Sequence, residues 1–194
     1  MPEYRKDIIL NEWVIIATER AKRPENFKEQ IVKVENKALS VCPFDSGNES
    51  MTPPESMRID SSGNEVDKDI PWQIRVVPNK YPAVVPNARR SSQQYGPYLA
   101  MDGFGIHEVV IHSPRHITNI SELSLQQMEL LISVYIRRIR TIIKDNRIES
   151  IVIMLNQGKE AGASLEHSHS QIFALPLAPP IIMNEISRTR SYFN

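Results

Sequence analysis

The sequence predicts an α+β domain: an antiparallel sheet with one main helix packed on one face. Three observations carry that reading. Residues 124–147 hold the one strong helical periodicity, with Leu125, Met128, Leu131, Ile132, Tyr135, Ile136, Ile139, Ile142 and Ile143 on one stripe. Around it lie short apolar runs closed by prolines and turn residues, as strands are. The chain has 194 residues, 41% of them hydrophobic, enough for a single domain with a buried core.

In chain order, DIILNEWVIIAT (7–18) reads as two short strands turning near Asn11 and Glu12. A stretch rich in Arg, Lys and Glu follows. Residues 42–71, crowded with Pro, Ser, Gly and Asn, read as a long irregular excursion, and such loops in compact domains are usually functional or mobile. WQIRVV (72–77) is a strand stopped by Pro78, and GIHEVVIH (105–112) is another stopped by Pro114. Ser124 and Gln127 make a capping box at the helix start. Arg137, Arg138, Arg140, Lys144 and Arg147 crowd its last half, where they suit a helix C-terminus and read as a solvated face. SIVIML (150–155) reads as a buried strand, NQGKEAGAS (156–164) as a loop with two glycines, and HSHSQIFAL (167–175) as the final strand.

Charge narrows the function. Lys+Arg and Asp+Glu both number 23, so the net charge is zero. A phosphate-backbone binder carries a basic excess, so no nucleic-acid partner is expected; a small anionic ligand stays open. The lone Cys42 has no partner for an internal disulfide, which fits a reducing, cytoplasmic setting. The first residues lack an apolar signal core, and no apolar run is long enough to span a bilayer, so no membrane partner is expected.

The chemistry concentrates in HSHSQ. Side chains alternate along a strand, so His167, His169, Gln171 and Phe173 share one face. They follow a loop whose glycines let backbone N–H groups approach a phosphate. A nucleophile, a polar donor and an anion cradle are what attack on phosphorus requires, and a neutral imidazole is available near pH 7. Two alternating histidines are also a common metal arrangement. From these residues alone, nucleophile, metal ligand and structural role all remain open.

The longer pattern is more specific. Asn156, Gly158, Gly162, Ser164, His167, His169 and Gln171 stand at the spacing of the active-site segment of galactose-1-phosphate uridylyltransferases, the transferase branch of the histidine-triad superfamily, and the chain resembles that family. Ser168 and Ser170 replace the family's Pro and Gly, a departure similar in look to the ADP-sugar phosphorylase relatives. Upstream, ERAKRP (19–24), CPFD (42–45), the VVPNKYPAV segment around Asn79, and HSPRH (112–116) resemble further family motifs in the right order. The likeness implies a histidine-triad-like domain over 1–194, the N-terminal half of the family's two-repeat architecture.

The resemblance also implies roles. His169 matches the nucleophile that takes the nucleoside monophosphate in ping-pong transfer, with UDP-glucose:hexose-1-phosphate uridylyltransfer as the leading activity. Gln171 matches the residue that hydrogen-bonds the phosphoryl oxygen. A glutamine does not shuttle a proton as the third histidine of the hydrolase branch does, which favours transfer over hydrolysis. Asn156, Gly162 and Ser164 match the phosphate loop. Arg20 and Arg23 match arginines that approach the phosphates, and Phe44 and Asn79 match positions near base and ribose. Cys42, Asp45, His116 and His167 match the family's structural zinc site, with Asp45 replacing a cysteine; a carboxylate oxygen is an acceptable but less selective ligand. Glu185 matches a ligand of a second metal site whose other ligands lie in the second half, so that site is not carried over. The implied partners are a nucleotide sugar and a hexose 1-phosphate, with a homodimer or an association with a C-terminal half.

Two alternatives stand beside this. Lys80 follows Asn79 where uridylyltransferases tend to show an acid, which favours an ADP-sugar or dinucleoside-polyphosphate phosphorylase or adenylyltransferase. A non-catalytic nucleotide-binding half-protein is the other. His107 reads as a structural or surface histidine, His112 as a neighbour of the site but not a ligand, and Glu160 and Glu166 as solvent-facing. Trp13 and Trp72 read as packing residues.

Overall fold

A computed structural model describes residues 1–22 and 41–193. The described residues form two antiparallel sheets and two α-helices, as an α+β chain should. The larger sheet comprises β3 (Met57–Ile59), β4 (Ile74–Pro78), β7 (Ile106–Ile111), β8 (Ser150–Leu155) and β9 (His169–Leu175), in the order β3-β4-β7-β9-β8. The smaller sheet holds β1 (Glu3–Lys6), β2 (Trp13–Ile16), β5 (Ser92–Tyr95) and β6 (Tyr98–Asp102), in the order β2-β1-β6-β5.

The main helix, α1 (Leu125–Ile142), covers one face of the larger sheet. Its Leu131, Val134 and Ile142 pack against Ile74, Val76, Val110, Ile172 and Ala174 of the central strands. Burying each such aliphatic side chain contributes roughly 1.5–3 kcal/mol. The opposite face is closed by a smaller apolar group, Cys42, Phe44, Trp72, Val77, Val109 and Ile111, which folds the excursion onto the sheet. The segment α2 (Pro180–Phe193) follows β9 and exposes Ile181, Met183, Tyr192 and Phe193.

Several elements differ from expectation, each for a local reason. The first strand is Glu3–Lys6 rather than the apolar run after Asp7. The Asp7 carboxylate accepts the N–H groups of Ile9 (2.8 Å) and Leu10 (2.9 Å), which bends Asp7–Leu10 into a turn and exposes its apolar side chains. Within the excursion, Met57–Ile59 is a strand, because it pairs with β4. β8 is only half-buried, since it pairs with β9 alone and forms the sheet edge. The helix stops at Ile142, before the basic residues run out, and Arg147 turns back onto Asp145. Only half of the capping box forms. Ser124 Oγ accepts the Gln127 N–H at 3.2 Å, but the Gln127 amide donates to the carbonyls of Gln73 and His112 at 2.9 and 2.8 Å. Arg138 leaves the solvated face for a two-pronged bond to the buried Glu108, at 3.0 and 2.8 Å. No helix among the described residues is long and apolar enough to cross a membrane.

Candidate active site and metal group

The pairing of β9 with β7 sets the site. His169 stands opposite Ile111, Gln171 opposite Val109 and Phe173 opposite His107. Alternation then sends His169, Gln171 and Phe173 to one side and Ser170, Ile172 and Ala174 to the side of α1. Before His169 lies a cavity of about 280 Å³, its wall including Arg20, Phe44, Asn79, Gly162, Ser164, His169 and Gln171. These are residues nominated from the sequence, drawn from five separate segments. Arg23 lies outside the described residues. Asn156 stays off the wall; its amide donates to the Ala161 carbonyl and braces the loop from within. Lys80 and Tyr81 also line the cavity, and Arg20 is pinned there by donating to the Tyr81 carbonyl at 2.8 Å.

The His169 tautomer follows from one contact. Its Nδ1 lies 2.8 Å from the His167 carbonyl, which only accepts, so the neutral ring carries its proton on Nδ1. Nε2 is left with a lone pair. Burial pulls the His169 pKa below 6.5 and outweighs the bond from His167, so the ring is neutral at pH 7. The Phe44 ring meets it edge-on, with centroids 5.2 Å apart.

Gly162 serves the loop's shape. Its φ is 78°, and it occupies the left-handed position of a tight turn closed by Gly162 N–H on Lys159 O (2.8 Å) and Ala163 N–H on Gly158 O (3.1 Å). The expected anion cradle therefore meets the cavity with these two N–H groups already bonded within the loop. Glu160 and Glu166 are exposed, as expected.

His107 is the residue the sequence reading placed wrongly in part. It is structural but buried, and it reaches into the site: its Nδ1 accepts the Ala83 N–H at 3.0 Å, and its Nε2 lies 2.8 Å from Gln171 Oε1. Its ring stacks on Phe173 with centroids 4.0 Å apart. Burial is the main cause that lowers its pKa to about 4, with a smaller contribution from the Arg20 charge. The signal was faint: His107 shares a strand face with Val109 and Ile111, but only the β7–β9 register brings it to Gln171.

At the upper end of the strand, Cys42, Asp45, His116 and His167 offer one ligand atom each, all within 4.8 Å of one another. Asp45 Oδ1 sits 2.8 Å from His116 Nδ1 and 2.9 Å from His167 Nδ1, with Cys42 Sγ 3.8 Å from His167 Nδ1. His167 Nε2 lies 2.9 Å from the Ser113 carbonyl. A neutral imidazole has one proton for these two acceptors. Placing it on Nε2 leaves a lone pair on Nδ1 aimed at a carboxylate, a thiol and a second imidazole, which a cation relieves. Burial raises the Asp45 carboxyl, but bonds from His116 and His167 outweigh it and hold the pKa below the usual carboxylate value. Burial pushes the Cys42 thiol up, the opposite of what a bound metal imposes. The donor set fits a four-coordinate ion.

Behind the strand, His112 stays out of this group. Its two nitrogens meet the Ser168 and Ser170 hydroxyls at 2.9 and 3.1 Å, and Tyr135 Oη reaches Ser170 Oγ at 2.8 Å. Burial lowers the His112 pKa to about 3. The two serines that depart from the family motif are thus partners of a buried imidazole.

The chain is similar to known proteins along most of its length. The family model described as galactose-1-phosphate uridyl transferase, N-terminal domain, covers residues 1–179. An ADP-glucose phosphorylase of Arabidopsis thaliana is 39% identical over 194 residues, spanning 99% of this chain and 54% of the relative. A galactose-1-phosphate uridylyltransferase of Thermotoga maritima is 28% identical over 194 residues, spanning 100% of this chain and 52% of the relative. The crystal structure of an Arabidopsis thaliana ADP-glucose phosphorylase with bound ADP-glucose superposes with a TM-score of 0.67 at 36% identity, covering 100% of this chain and 55% of that one. The chain spans about half the length of the curated relatives it matches.

Proposed function

The chain belongs to the galactose-1-phosphate uridyl transferase family, and from that premise we propose that it transfers a nucleoside monophosphate from a nucleoside diphosphate sugar to a phosphate acceptor through His169. The observation that carries this is the His169 tautomer: Nδ1–H is spent on the His167 carbonyl, and the Nε2 lone pair belongs to a ring on the cavity wall. In the first half-reaction Nε2 attacks the α-phosphorus, forming a P–N bond. The P–O bond to the sugar 1-phosphate breaks, and the oxygen leaves with the electron pair. In the second, an acceptor phosphate oxygen attacks the nucleotidyl-His169 and regenerates the ring. Gln171 donates an amide N–H to the phosphoryl oxygen, where negative charge builds. Arg20 and Lys80 supply positive charge for the diphosphate, and Phe44 and Asn79 line the nucleoside end.

The nucleotide is assigned as adenylyl, with an ADP-sugar phosphorylase as the nearest type. The supports are the 39% identity to an ADP-glucose phosphorylase against 28% to a uridylyltransferase, and Lys80 on the cavity wall. Uridylyl transfer, the leading expectation from the sequence motifs, is the second reading; the family model that matches carries that name. Cys42, Asp45, His116 and His167 would hold a zinc ion. Bound there, it would supply structural clamping of the excursion to the start of β9, with no part in the phosphoryl chemistry.

The test is intact-protein mass spectrometry after brief incubation with ADP-glucose and, separately, UDP-glucose, with His169→Ala as control. An AMP-sized adduct that requires His169 is the expected result. A UMP-sized adduct moves the assignment to uridylyl transfer. A folded protein that binds nucleotide yet forms neither adduct removes the covalent role of His169.

A further inference from the structure

We infer that His107 is a positioning residue that fixes which end of the Gln171 amide faces the reacting phosphate; this rests on the nucleotidyl-transfer reading above. The argument starts from a backbone amide. Ala83 N–H can only donate, and it points at His107 Nδ1 from 3.0 Å, so that nitrogen holds a lone pair. The neutral ring must then carry its proton on Nε2. Nε2 lies 2.8 Å from Gln171 Oε1, and the carbonyl oxygen accepts that proton. Asn79 Nδ2 also lies 3.1 Å from Nε2, but two donors meet there, and the Asn79 amide is itself oriented by its Oδ1 accepting Tyr81 N–H at 2.9 Å. The contact is therefore no competing hydrogen bond.

The consequence falls on Gln171. A free glutamine amide presents oxygen or nitrogen with nearly equal ease, because the two ends have almost the same shape. Oxygen toward a phosphoryl group is repulsive; N–H₂ toward it is stabilising. With Oε1 held by His107, the N–H₂ is the end left for the cavity, and among the described residues it has no other bonded partner. Gln171 is thus a donor of fixed polarity although it carries no charge. The same geometry excludes a proton relay: His107 Nδ1 is committed to a backbone N–H, and an amide passes no proton onward. The stack on Phe173 keeps the ring plane in place.

Two measurements test this. Long-range 1H–15N spectra of the labelled full chain at pH 7 report the His107 tautomer without any chemistry. Protonation on Nε2 alone is expected; protonation on Nδ1, or on both nitrogens, overturns the inference. The second is a double-mutant cycle on the rate of nucleotidyl-His169 formation. His107→Phe keeps a ring against Phe173 and removes both nitrogens. It should slow adduct formation at saturating nucleotide sugar by roughly 10–100-fold, the range of a lost oxyanion donor or somewhat below it, with little change in the half-saturating concentration. In a Gln171→Met background the same change should have almost no further effect, because the amide it orients is gone. His107→Gln, whose amide nitrogen can take the Nε2 place, should recover part of the rate and guards against a folding defect in the phenylalanine variant. Additive losses across the cycle, or full activity in His107→Phe, overturn the positioning role while leaving His169 transfer intact. A wild-type chain that forms no adduct removes the transfer reading itself, and the positioning role with it.

Discussion

The two faces of β9 each rest on a buried, neutral histidine, yet the two are held in different ways. On the cavity side, His107 Nδ1 meets a backbone N–H, whose polarity is fixed, and its Nε2 meets the Gln171 amide, whose oxygen that tautomer selects. On the helix side, His112 meets the hydroxyls of Ser168 and Ser170, with Tyr135 beyond them, and every one of these can turn to donate or accept. Fixed partners specify where a proton sits. Rotatable ones satisfy a buried ring in either tautomer. The front of the strand therefore encodes direction, as the proposed chemistry on a phosphate demands, whereas the back supplies only cohesion. Substitutions on the front should change rate at constant stability, and those on the back should do the reverse.

The sharpest break of that contrast is at His169. His169→Gly should abolish the covalent adduct while the melting temperature moves by no more than a few degrees; retained labelling by mass spectrometry would undo the front-face assignment. Acidification is the next largest effect and strikes both faces. His107 and His112 have folded pKa values lowered to about 4 and about 3 from an ordinary 6.5. The unfolded chain therefore binds more protons below pH 6.5. Stability is complete above that pH and is lost as pH falls toward 4 and then 3, at about 1.4 kcal/mol per pH unit for each ring. Urea titrations from pH 7 to 4 should show this slope, and His112→Gln should flatten its share. His112→Leu strands the buried Ser168 hydroxyl, while Ser170 keeps Tyr135 as a partner, and should cost about 1–3 kcal/mol at pH 7, with the adduct rate per folded molecule preserved; a rate loss equal to that of a front-face variant would erase the distinction. Asp45→Ala removes the oxygen shared by two imidazoles. It should lower bound zinc by elemental analysis and the melting temperature by about 5 °C; unchanged zinc content counts against the metal group. Smallest is Tyr135→Phe, expected near 1 kcal/mol by calorimetry, with no kinetic consequence.

Much of this was legible in the sequence, because strand alternation and helical period are local properties. The His169, Gln171 and Phe173 face and the Cys42, Asp45, His116 and His167 group came from spacing and motif likeness, and the structure brings each together, although His167 precedes the strand, which begins at His169. Of the stripe read on α1, Leu131 and Ile142 are buried, whereas Leu125, Ile132, Ile136 and Ile143 are exposed and Val134, outside the stripe, joins the core. What escaped depends on pairing. Nothing local to Glu3–Lys6 marks it as a strand; the Asp7 turn and the partner β6 make it one. Arg138 read as solvated because Glu108 is distant in sequence and adjacent only across the sheet. His107 was judged bland for the same reason: its meaning depends on Ala83 and Gln171, which no window around it contains. Gly162 lines the cavity, and the left-handed turn it also closes was not legible from its spacing.

The parity of β7 has a consequence for how this chain can vary. His107 lies on the cavity side of the sheet, against Gln171, and its neighbour Glu108 faces α1, where Arg138 grips it. Adding or deleting one residue in Ile106–Ile111 would exchange those faces, delivering a carboxylate to the cavity side and an imidazole to the arginine. Single substitutions along β7 can be absorbed one at a time. A change of length by one reverses both faces together, so a library of insertions and deletions should find β7 intolerant where the loops on either side are permissive.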